Sequence, residues 1–190
     1  NIPADVVEQF LGQTVPPLRA VFINPVVIDG KEWLQPDLFF NYTWEEINSV
    51  CPDGTCTGVL PGSPIDLTGY TWASVEDMNT LFNLFIEAAE APLLGPGPDY
   101  YIYDSTVVGP FLGLGWRQWA WGCAGRGCEL SDLGLKGFVS TSYCLASASV
   151  DIYEWIYGFA SFSTGNPVCD DFTIPPEASS EVGAWLYRSL

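Results

Sequence analysis

Two stretches of the chain, CPDGTC at Cys51–Cys56 and CAGRGC at Cys123–Cys128, each set four residues between paired cysteines and fill the gap with turn formers. Structural zinc favours two-residue gaps and often recruits histidine, and a thioredoxin-like redox motif needs the two-residue gap as well. The chain has no histidine. An all-cysteine zinc site built from the two pairs is the alternative, but disulfides fit the spacing better. The economical pairing of the six cysteines is Cys51–Cys56, Cys123–Cys128 and Cys144–Cys169. Pro-Asp-Gly and Ala-Gly-Arg-Gly supply the reversals that such short loops need. Three staples imply an oxidising compartment, so the expectation is a secreted, extracellular or cell-surface protein.

The composition supports a packed core with an unusual exterior. Of 190 residues, 48% are apolar and 15% aromatic, while only 15% are charged; soluble domains carry roughly 25% charged residues. The net charge is −17. Nucleic acids and anionic membranes are disfavoured as partners, because both need clustered Lys and Arg. No apolar run reaches the roughly 18–20 residues that span a bilayer. The first residues lack the basic and apolar regions of a signal peptide, and the chain does not begin with Met, so it reads as a mature form whose leader was removed.

Residues 1–28 read as an extended N-terminal arm. A short helix is expected in Ala4–Gly12, followed by a stretch broken at Pro16, Pro17 and Pro25 that carries two β-rich runs, Val21–Phe22–Ile23 and Val26–Val27–Ile28. Residues 29–190 read as one α+β domain, with two short early helices and a loop-rich, mostly antiparallel sheet. Thr43–Glu46 and Ser74–Asp77 have the form of capping boxes. After the second, Val75, Met78, Leu81, Phe82, Phe85 and Ile86 repeat at helical spacing, a stripe that core packing explains. From Tyr100 onward the pattern predicts short strands and loops, with Phe138–Tyr143 and Ala184–Tyr187 as strands.

Three stretches, DGKEWLQP (Asp29–Pro36), LTGYTWASVEDMNTLFN (Leu67–Asn83) and GAWLYR (Gly183–Arg188), together resemble a family of secreted bacterial proteins, many with a C-terminal sorting anchor of the PEP-CTERM kind. A more distant similarity is to C-type-lectin-like, formylglycine-enzyme-like bacterial domains. The resemblance implies an exported or surface-associated protein of a Gram-negative bacterium and supplies no catalytic residues. This chain ends at Leu190 without the apolar tail of anchored members, so the expectation is a processed anchor or a released protein.

Little in the chain points to catalysis. Without histidine there is no Ser-His-Asp or Cys-His centre, and oxidised cysteines offer no thiolate. Carboxylate pairs such as Asp151 with Glu154, or Asp170 with Asp171, are close in sequence, whereas glycosidase carboxylates face each other across a cleft. The expectation is a protein that is not an enzyme. Calcium is the cation such carboxylates suit, with Asp53 in one cysteine loop and Asn166, Asp170 and Asp171 in another, although neither has EF-hand spacing and a solvated acidic surface explains them as simply. Trp116, Trp119 and Trp121 beside Arg117 are the candidate sugar-stacking residues, weighed against ordinary core packing. Asn41-Tyr42-Thr43 is an N-x-T sequon that reads in a bacterial setting as a helix start.

Two functions follow. The first is an extracellular structural subunit that associates with copies of itself through Val21, Phe22, Ile23, Val26, Val27 and Ile28, giving a surface, matrix or filament assembly. The second is a secreted glycan-binding module, calcium-assisted or using the Trp116–Trp121 region.

Overall fold

A computed structural model describes residues 23–97, 99–121, 132–140, 147–153, 159–164 and 182–190. Val21, Phe22, Cys123, Cys128, Cys144, Cys169, Asn166, Asp170, Asp171 and the helix expected over residues 4–12 lie outside them.

The chain enters through a hairpin. Val26–Ile28 (β1) pairs antiparallel with Lys31–Trp33 (β2) across Asp29 and Gly30, at φ 48° and 69°. Asp-Gly is the dipeptide that accepts two left-handed residues, as a two-residue hairpin turn requires. The expected boundary after residue 28 therefore falls inside a hairpin, and residues 26–28 pack with the domain. Val26 and Ile28 are buried in its core while Val27 is 57% exposed.

Both capping boxes form. Thr43 Oγ1 accepts from the Glu46 amide at 3.1 Å and the Glu46 carboxylate accepts from the Thr43 amide at 2.8 Å, starting Trp44–Val50 (α1). Ser74 and Asp77 make the same exchange at the start of Val75–Ala88 (α2). The apolar stripe of α2 is the buried one: Val75, Met78, Leu81, Phe82 and Ile86 are inside, with Phe85 half-covered beside them. Cys51 and Cys56 are joined in a disulfide at the end of α1, and both are buried.

Two sheets share these elements. The first has four strands in the order β1, β2, Leu186–Ser189 (β10) and Thr71–Trp72 (β3), all antiparallel. The second runs Tyr100–Asp104 (β4), Phe159–Ser163 (β8), Ser147–Tyr153 (β7), Asp132–Phe138 (β6) and Trp119–Trp121 (β5). Gly183–Ala184 (β9) adds to β6 in parallel, through Gly137↔Gly183 and Phe138↔Ala184. Of the strand expected over Phe138–Tyr143, Phe138 is the last residue of β6, the Ser140 amide leaves the sheet to donate to Ala73 O at 2.8 Å, and residues 141–143 lie outside the described residues.

The aromatic-rich second half also holds a third helix, Ser105–Leu112 (α3), in place of the strands and loops expected there. Two β-branched valines and Pro110 hide it, since an internal proline costs a helix about 3 kcal/mol. Burial of Val107, Val108, Phe111 and Leu112 outweighs that cost, at roughly 1.5–3 kcal/mol for each large side chain. Asp104 caps the helix by accepting from the Thr106 amide at 2.9 Å.

The final strand region joins the two sheets. β9 belongs to the second and β10 to the first, with Trp185 between them and fully buried. One core, around Phe82, Phe111, Phe162 and Trp185, lies between α2, α3 and the second sheet. The other, around Leu34, Phe39, Ile47, Trp72 and the disulfide, lies on the opposite face of the first sheet. Trp44 touches both, and its indole N–H donates to Val139 O at 2.9 Å.

Candidate functional site

The point where the N-terminal segment meets the domain is held by one buried amide. Gln35 is fully buried, and its Nε2 donates to Asn24 O at 2.9 Å and Gly115 O at 3.1 Å. Its Oε1 accepts from the Arg117 amide at 2.8 Å. Three of the four hydrogen bonds an amide side chain can make are thus satisfied, which fixes residue 24 against the loop after α3. Ile23 is half-buried and packs on the second core. A glutamine in a loop carries no sequence pattern, and nothing in the chain singles out Gln35 in advance.

After this clamp the chain enters β1, which is an edge strand among the described residues. β1 pairs with β2 on one side and, among the described residues, with no strand on the other. Of the six residues expected to drive self-association, Val26 and Ile28 are turned into the protein's own core, Ile23 is half-covered and Val27 is exposed. Val21 and Phe22 precede the clamp, outside the described residues.

The candidate sugar-stacking tryptophans fall on a loop, at Trp116, and on β5, at Trp119 and Trp121. Trp116 is buried against Phe111 and Trp185, with ring centroids at 5.3 and 5.5 Å, so this indole is core rather than a platform for sugar. Its Nε1–H and that of Trp33 are buried and without a hydrogen-bond partner among the described residues. Trp119 and Trp121 sit at the two ends of β5, opposite Gly134 and Asp132. Arg117 is exposed, and its Nε and Nη2 donate to Asp37 Oδ1 at 3.0 and 2.7 Å. Such an exposed pair contributes little stability.

Of the carboxylates, Asp53 is exposed at φ 53° inside the disulfide loop. Asp151 lies on β7 opposite Gly134 and Ser161, and Glu154 falls outside the described residues. Among the described residues no three Cys, Asp or Glu side chains converge as a metal group. No helix among them is long and apolar enough to cross a membrane.

Three tyrosines carry the strongest electrostatic signature. Tyr70 donates to Glu32 Oε1 at 2.8 Å, Tyr187 to Asp77 Oδ1 at 3.0 Å and Tyr103 to Pro92 O at 2.7 Å. Burial, reinforced by the negative charge of Glu32, Asp77 and Asp99 respectively, pushes all three phenols up to about 12. The unfolded chain, near the ordinary value of 10.0, loses these protons first. Stability from the neutral phenols is therefore complete below pH 10 and falls as pH rises from about 10 toward 12. Denaturant midpoints measured across that window should decline, with phenolate absorbance rising at the unfolding transition; full phenolate formation near pH 10 in the folded protein would contradict the assignment.

No family model, curated protein or solved structure matches the chain.

Proposed function

We propose that this chain is an extracellular structural subunit that associates with copies of itself through its N-terminal segment. One observation carries the reading. Residues 1–22 are apolar and punctuated by prolines, and the chain that follows them is clamped at Asn24 by Gln35 and enters the edge strand β1. A segment so placed can add as a strand to a neighbour, and a head-to-tail addition repeated in one direction builds a fibre. The low charged fraction supports the same reading, and the Cys51–Cys56 disulfide is compatible with life outside the cell. Self-repulsion from a net charge of −17 opposes assembly at low ionic strength, so salt or calcium should favour it.

Negative-stain electron microscopy of the full chain, at low and high salt and with calcium or chelator, tests the reading. Regular fibres are expected, strongest at high salt. A chain beginning at Ile23 keeps the β1–β2 hairpin and should remain folded but dispersed. Dispersed particles of the full chain under every condition would end the structural reading and direct the search to glycan binding.

A further inference from the structure

We infer that the acceptor for the N-terminal segment is the free edge of β4 in a second copy, and that the segment it takes is Leu18–Phe22. This rests on the self-association reading and adds to it the surface on which one copy receives the next.

Edge strands are sites of strand addition unless they are short, charged, kinked or covered. β4 pairs with β8 along its full length, and among the described residues no strand pairs with its other side. It spans five residues, where the other edge strands β1, β5 and β3 have three, three and two. β1 is further blunted by Pro25, and β3 is bridged by Thr55. β4, with the sequence YYIYD, has no Lys, Arg or Pro to guard it. Tyr101 is 44% and Ile102 50% exposed. Leu93, next to the Pro92 carbonyl that holds Tyr103, is 53% exposed. Among the described residues, apolar surface is thus open at Tyr101 and Ile102 on the longest unpaired edge.

The occupant is argued from length, charge and reach. Between Pro17, which cannot donate to a ladder, and Ile23, which packs on its own domain, lie five residues, LRAVF, matching the five of β4. Four are apolar, and the fifth, Arg19, is one of six basic residues in the chain. Asp99 precedes β4 and Asp104 is its last residue, so both ends carry the complementary charge. Asn24 is tied to Gln35, whose neighbour Pro36 abuts β9 at Gly183. From β9 the order runs β6, β7, β8, β4, so β4 is the far edge of that sheet, about 19 Å from β9 at ~4.8 Å per strand. Phe22 is two residues from Asn24, a reach of roughly 7 Å. On the self-association reading the partner is a second copy.

The test places the photo-crosslinker p-benzoylphenylalanine at Phe22 in the full chain and irradiates a mixture of isotopically heavy and light copies under fibre-forming conditions. Heavy–light crosslinks to the peptide containing Tyr100–Asp104 are expected. Ile102→Lys, at an exposed position the fold tolerates, should reduce them at least tenfold along with the fibres, while the melting temperature stays unchanged. Fibres whose crosslinks map elsewhere, or that survive Ile102→Lys, would overturn β4 as acceptor and leave self-association standing. Crosslinks within one copy would overturn the second-copy assignment. A chain that forms neither fibres nor intermolecular crosslinks would overturn both.

Discussion

Trp185→Ala should lower stability by about 3–5 kcal/mol, the range for removing a large aromatic from a core that cannot collapse around the void. Trp185 is fully buried and packs against Trp116 at 5.5 Å, Phe82 at 6.3 Å and Phe111 at 6.5 Å. Those rings come from three different elements, so no single shift can close the gap. The residue also sits where the chain crosses from β9 in one sheet to β10 in the other, and its carbonyl accepts from the Ala73 amide at 2.9 Å. Denaturant unfolding of the purified variant reads the loss as a lower midpoint at unchanged slope. A shift below about 1 kcal/mol, the centre of ordinary point mutations, would show that Trp185 does not hold the sheets together.

Gly183→Ala should also be damaging, although it adds a single methyl group. A Cβ at this position would collide with the Pro36 carbonyl, and backbone cannot rotate away as a side chain can. Overpacking usually costs about 1–3 kcal/mol, and here relief requires moving either β9 or the turn that carries Gln35. Displacing β9 breaks the parallel pairing to β6 at Gly137 and Phe138. Gly58→Ala is the control, because a Cβ there meets nothing within 4 Å and the change should stay within about 0.5 kcal/mol. Equal melting temperatures for the two variants would refute the close approach.

The features legible in the sequence share one property, which is that both partners lie within a few residues. The capping boxes span Thr43 to Glu46 and Ser74 to Asp77, and the disulfide joins Cys51 to Cys56. The stripe of α2 is likewise periodic over one helix. The Asp29-Gly30 hairpin was equally local, but the prolines before it drew the arm boundary through its turn. α3 was obscured for the opposite reason, because its propensity argues against a helix and only its burial under the second sheet overrides that.

The candidate site was legible only in part. That residues 1–28 read as an apolar, proline-broken arm follows from composition and proline spacing. That Val26 and Ile28 are spent on the protein's own core, that Trp116 is buried rather than displayed, and that Gln35 clamps Asn24 follow from contacts across the chain. Gln35 and Gly115 are 80 residues apart, and Tyr187 and Asp77 are 110 apart.

By itself, then, the sequence determined the local elements: where α1 and α2 begin, which face of α2 is apolar, and which cysteines close the first short loop. Their determinants are hydrogen bonds and side-chain periodicities over three to five residues, which a chain carries wherever it goes. Only the tertiary structure decided that the last nine residues link two sheets, that Gly183 must lack a side chain, and that β4 lies at an edge. Each of those depends on which distant strand arrives alongside, a choice made by total burial and backbone pairing over the whole fold rather than by any segment's own propensity.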